Sequence, residues 1–182
     1  MLIALVIVAA LAVWLVFMYN GMVKGRNLVR EAFSTMDVYL KKRWDLIPNL
    51  VETVKGYAKH EESTFKELTE LRSGSYDNLS SEDKIDLNQK LSGAISKIIA
   101  VAENYPELKA STNFGQLQDD LGKLEDDIAQ SRKYYNGTVR SYNDSLQVFP
   151  NVIFAGMFGF QPEKMFEAAA AERENVKVDF SS

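Results

Sequence analysis

The chain has 182 residues, a formal charge of −4, a single histidine and no cysteine. Without thiols there are no disulfides, thiolate zinc sites, cysteine nucleophiles or sulfur-linked lipids. The pI near 5.2 and the dispersed basic residues argue against a nucleic-acid partner.

Residues Met1 to Tyr19 are all apolar, and the first charged side chain is Lys24. As a helix, this uncharged stretch rises ~35 Å, enough to cross a hydrocarbon core ~30 Å thick. No basic residue precedes the run, and it continues past the cleavage-like Ala10-Leu11-Ala12 through Trp14 and Phe17. A retained single-pass anchor over residues 1–22 therefore fits better than a cleaved signal peptide. Lys24, Arg26 and Arg30 follow the span, so positive-inside counting places the N-terminus outside and the remainder in the cytoplasm.

Residues 23–182 read as one domain of long amphipathic helices. From Val29 the apolar positions run Phe33, Met36, Leu40, Trp44, Ile47, Val51, Val54, Ala58, Phe65 and Leu68, mostly in steps of three and four. The two steps of four at Met36, Leu40 and Trp44 read as a stutter. Pro48 lacks the N–H owed to the Trp44 carbonyl, which predicts a bend or short break there. One bent helix is expected over about 23–72, ending at Ser73-Gly74-Ser75.

A second helix is expected over about 81–105, capped by Ser80 or Ser81, with Leu87, Leu91, Ile95, Ile98, Ala102 and Tyr105 facing inward. A third, about 112–148, carries Phe114, Leu117, Leu121, Leu124, Ile128, Tyr135, Tyr142 and Leu146 at heptad-like spacing. A short alanine-rich helix is expected over 163–172. No segment alternates with period two, so the fold class is all-α: a single transmembrane helix, then an up-and-down antiparallel bundle with a very long first helix. That helix outruns the second, and its excess must be exposed, membrane-proximal or covered by another subunit.

The catalytic inventory is thin. His60-Glu61-Glu62-Ser63-Thr64 begins like a zinc-protease helix, but Thr64 stands where a second histidine is needed. Asp119, Asp120, Glu125, Asp126 and Asp127 read as a solvated acidic face, since Leu121, Leu124 and Ile128 claim the core side. No catalytic, metal or cofactor residues are assigned. A carboxylate-only enzyme would have to use Asp119 or Asp126 with Glu125, or Asp45 near Arg43.

Two segments exceed what periodicity explains. Arg43, Trp44, Asp45, Pro48 and Asn49 crowd the expected bend, where Arg43 or Asn49 is placed to bond the carbonyls that Pro48 frees. A partner surface is the rival reading. Phe149 to Phe160, with Phe149, Phe158 and Phe160 as interaction candidates, reads as an apolar, non-helical stretch that needs cover. The bundle itself, a membrane or another protein would supply it.

These residues carry a resemblance. The run Lys42-Arg43-Trp44-Asp45-Leu46-Ile47-Pro48-Asn49-Leu50-Val51-Glu52-Thr53-Val54-Lys55-Gly56-Tyr57-Ala58 closely resembles the LemA family of bacterial membrane-anchored proteins. Further matches are Tyr19-Asn20, Glu31-Ala32 with Asp37, Asn113-Phe114, Leu117-Gln118, Arg132, Tyr135-Asn136, Tyr142-Asn143, Phe149-Pro150, Phe158-Gly159-Phe160 and Val178-Asp179-Phe180. Phe33 departs from the family's usual Trp, and residues 73–81 look variable. The resemblance implies a bacterial membrane helix and a helical bundle, with no established activity or binding residues to carry over. It associates such proteins with membrane metalloproteases of the HtpX type and with TPM-domain proteins. Some relatives carry a lipoprotein cysteine before the Tyr-Asn pair, which implies a bundle outside the cytoplasm, against the charge count.

The function expected is a non-enzymatic membrane-anchored scaffold or adaptor that positions or regulates a membrane partner, as a homo-oligomer if the long helix is covered by a second copy. The alternative is a module binding membrane lipid through the basic juxtamembrane segment, including Lys41, Lys42 and Arg43, and the Phe149–Phe160 stretch.

Overall fold

The computed structural model describes residues 1–58 and 61–166. Among them the regular structure is entirely helical. Helix α1 runs unbroken over Leu2–Lys55, 54 residues or ~81 Å of rod. Then come α2 (Glu62–Leu71), a 3-10 turn (Tyr76–Asn78), α3 (Ser81–Glu103), α4 (Pro106–Lys109), α5 (Thr112–Gln147) and α6 (Asn151–Ala155). The N-terminal part of α1 is long and apolar enough to cross a membrane, and none of its most apolar window is buried against the rest of the chain.

The core is chiefly a pairing of α1 with α5. On α1, Met22, Val29, Met36, Arg43 and Leu50 are buried at intervals of seven, as are Leu40, Ile47 and Val54. On α5, Phe114, Leu121, Ile128, Tyr135 and Tyr142 form one such row, and Leu117, Leu124, Ser131 and Thr138 another. A seven-residue repeat on both partners is a coiled-coil seam. Its direction follows from the contacts: Gly25 lies against Tyr142, Phe33 against Tyr135, and Arg43 against Glu125. Numbers rise on α1 as they fall on α5, so the pair is antiparallel. A Cβ at Gly25 would stand 3.1 Å from the Tyr142 ring, so a larger residue here would have to push that ring aside by a few tenths of an ångström.

Three expectations are corrected. The stutter at Met36, Leu40 and Trp44 is not there, because the seam passes through Arg43, a charged residue on an apolar row. The helix expected over about 23–72 does continue through Pro48, which lies inside α1, but it ends at Lys55, and Glu62–Leu71 form a separate helix. Trp44, Ile47 and Leu50 are buried on both sides of the proline, and this packing holds the rod through it. The break comes at Gly56, where Tyr57 and Ala58 both donate to the Val54 carbonyl. Antiparallel registry explains the place: α5 starts at Thr112, level with the end of α1, so beyond Lys55 the rod has no partner. Helix α2 then packs mainly on α3.

The third correction concerns residues 163–172. Glu163–Phe166 are not helical, because they are bonded along α5 as an extended strap, while the rest of that segment lies outside the described residues. His60 and Val178-Asp179-Phe180 lie outside them too. The second and third helices match their expected limits closely, and Ser80 caps α3 by accepting from the Asp83 N–H at 3.1 Å.

Candidate functional site

Helical geometry divides the Arg43–Asn49 motif between inside and outside. Arg43 is only 1% exposed. Its Nη1 donates to Asn88 Oδ1 at 2.9 Å and its Nη2 to Ser92 Oγ at 2.7 Å, both on α3. Nη2 also stands 3.0 Å from Glu125 Oε1 on α5. The guanidinium thus joins the three longest helices, a use that a planar five-donor fork fits better than an ammonium. It is a cross-link within the core and not a surface for a lipid. A groove of about 560 Å³ opens beside it between α3 and α5, edged by Ile95, Ile99 and Leu121.

Trp44 is buried against the Tyr76 ring at 5.5 Å, with the Arg72 guanidinium 5.1 Å from its own centroid. Asp45 is exposed and takes Lys41 Nζ at 2.7 Å. Pro48 is half-buried and Asn49 exposed. The motif therefore does not converge on one site, and Arg43 turns to α3 and α5 instead of serving the proline. The acidic residues of α5 are exposed, with Glu125 given to Arg43. Among the described residues no three His, Asp or Glu side chains gather as around a metal ion.

Beside this motif lies a cluster that periodicity did not reveal. Asp37 accepts from the Tyr76 hydroxyl at 2.7 Å and from Lys84 Nζ at 2.7 Å. Lys84 also lies 4.7 Å from the Tyr76 ring centroid. Burial, then the hydrogen bond to the Asp37 carboxylate, push the Tyr76 phenol well above its usual range. Tyr76 belongs to the segment that looked variable, and it fastens the α2–α3 connection to α1.

The paired Tyr-Asn motifs have a structural role. Asn143 donates to the Glu163 carbonyl and accepts from the Glu163 N–H, both at 2.9 Å. One heptad earlier, Asn136 does the same for Phe166, at 2.7 and 2.8 Å. Two side-chain amides thereby act as the neighbouring strand for the strap's backbone. Between them the Tyr135 hydroxyl donates to the Lys164 carbonyl at 2.8 Å. Burial, with Glu163 and Glu82 adding to it, pushes the Tyr135 phenol up to about 12.

The Phe149–Phe160 stretch contains α6, so it is not wholly non-helical. It packs on the apolar part of α1: Phe154 meets Trp14 edge-on at 6.3 Å, and Tyr19 meets Phe158 at 5.4 Å and Phe160 at 5.5 Å. Phe160 is buried beneath Arg26, whose guanidinium lies 4.9 Å from its centroid. Phe149 points away from the protein and is 79% exposed.

Comparison with known proteins adds a family. The model of the LemA family matches residues 32–180. Protein LemA of Metamycoplasma hominis is 23% identical over 158 residues, which cover 86% of this chain and 72% of that protein. Magnetosome protein MamQ 2 of Paramagnetospirillum magneticum is 24% identical over 197 residues, covering 94% of this chain and 72% of its own. Magnetosome protein MamQ of Magnetospirillum gryphiswaldense is 21% identical over 183 residues, covering 86% and 67%. None of these names denotes a catalytic activity.

Proposed function

Because the chain belongs to the LemA family, we propose that it is a non-enzymatic, membrane-anchored scaffold or adaptor that positions or regulates a membrane partner. The observation that carries this reading is the continuity of α1, which runs without a break from the apolar segment into the seam with α5. An anchor joined by a loop leaves its domain free to tumble; an anchor that is also the core helix sets the domain's height and azimuth over the bilayer. Fixed presentation serves contact with another membrane component and adds nothing to diffusive catalysis. Candidate partners are a second copy of the chain, a membrane protease or a TPM-domain protein, in that order of economy.

The test is photo-cross-linking in native membranes from exposed positions along α1 and α5, such as Asn49 and Asp126. A discrete adduct with a second copy or with one membrane protein is expected. A protein that stays monomeric and uncross-linked at every position contradicts the reading.

A further inference from the structure

We propose that the turn from Val148 to Phe160 is a second membrane contact, immersed in the leaflet from which α1 emerges, with Arg26 and Arg30 above it at the level of the lipid phosphates. The proposal rests on the anchoring of α1 and is independent of any scaffolding role.

Position is the first ground. Met22 is the first residue of α1 buried in the seam, and Trp14 lies ~12 Å back along the helix. Phe154 and Phe158 pack on Trp14 and Tyr19, so the turn lies against the apolar segment of α1 at the membrane-facing end of the bundle. If that segment is in lipid, the turn is at the depth where interfacial helices lie, ~5–10 Å below the headgroups.

Composition is the second. No charged residue occurs between Asp144 and Glu163. The outward side chains are Phe149, Val152, Ile153, Met157 and Phe158, and Met157 is 76% exposed. Such a contiguous apolar patch is costly in water and ordinary in lipid.

Backbone pairing within the turn is the third ground, since a segment that closes many of its own amides suits hydrocarbon better than an open loop does. Hydrocarbon offers no partner for an open amide. Here Val152 donates to Val148, Ile153 to Pro150 and Phe158 to Phe154. Gly159, at φ +73°, and Phe160 then close the turn on the Gly156 and Ala155 carbonyls in the pattern of a Schellman cap. The cap folds Phe160 back under Arg26. Arg26 has no carboxylate partner among the described residues, and Arg30 and Lys24 are exposed beside it. Cations at that height suit anionic headgroups.

The absence of native cysteine makes the experiment direct. Full-length Ile153→Cys and Met157→Cys variants carry a nitroxide label in vesicles of phosphatidylglycerol or phosphatidylcholine. Leu11→Cys in the apolar segment and Asp126→Cys on α5 are the references. Collision rates with oxygen and with a water-soluble nickel complex are read for each. Labels at 153 and 157 should fall between the two references, shallower than 11 but with oxygen favoured and nickel several-fold reduced relative to 126. They should sit deeper in phosphatidylglycerol than in phosphatidylcholine, a difference that Arg26→Gln reduces. Nickel access equal to that at 126 overturns the insertion while a lipid-embedded label at 11 leaves the anchor intact. Exclusion of both reagents overturns it in favour of a protein covering the turn. A lipid preference unchanged by Arg26→Gln overturns the headgroup role.

Discussion

Arg43 is the residue on which the middle of the bundle turns. A guanidinium on an apolar seam carries a desolvation cost, offset here by two neutral acceptors on α3 and the Glu125 carboxylate, which remains partly in water. Arg43→Ala removes those bonds and opens a cavity, and it should cost about 3 kcal/mol in urea unfolding at unchanged m-value. Arg43→Met refills the volume without the charge and should recover most of that loss, leaving a deficit of about 1 kcal/mol. Equal losses in the two variants would show that the hydrogen bonds, and not the filled space, carry the cross-link. Heptad counting offered a signal for this residue: Met22, Val29, Met36 and Leu50 leave 43 as the one missing position. An apolar-only count skips it, moves to Trp44 and records a stutter that does not exist.

At the scale of elements, α1, α3 and α5 were legible because their apolar periods extend over many turns. The strap was not, since nothing in Gln161–Phe166 announces that two asparagines on another helix will bond its backbone. The end of α1 was misplaced for a related reason. The apolar stripe resumes after Ala58 at Phe65 and Leu68, so periodicity alone carries the helix to Ser73, whereas the fold ends it at Gly56, where the partner helix is lost. The interior of the candidate site was missed likewise, because the Asp37–Tyr76–Lys84 contacts join residues about forty positions apart. The strap also gives a pH prediction. The unfolded Tyr135 phenol titrates near 10 and the folded one near 12. The unfolded state therefore loses its proton first, so the stability contributed is complete below pH 10 and lost as pH rises to about 12. Tyr76 and Tyr142 are shifted upward as well and act in the same sense. Stability measured across that alkaline range should fall less steeply for Tyr135→Phe than for the parent chain. Parallel curves would contradict the assignment.

At the scale of the whole molecule, the apolar N-terminus and the bundle form one object. The seam starts at Met22, directly after the apolar run, and Arg43 lies ~30 Å further along the same rod. This separation removes Lys42 and Arg43 from any role at the headgroups of an upright protein and leaves that role to Lys24, Arg26 and Arg30. It also makes the direction of α1 the quantity that scaffolding depends on. Spin labels on the exposed positions Asn20 and Lys42 of the cysteine-free chain, in lipid nanodiscs, test this most directly. A continuous helix places their backbones ~33 Å apart, so double electron–electron resonance should give a single narrow distance distribution near that value. A broad distribution, or a shorter one, would reveal a hinge between anchor and bundle and contradict the account.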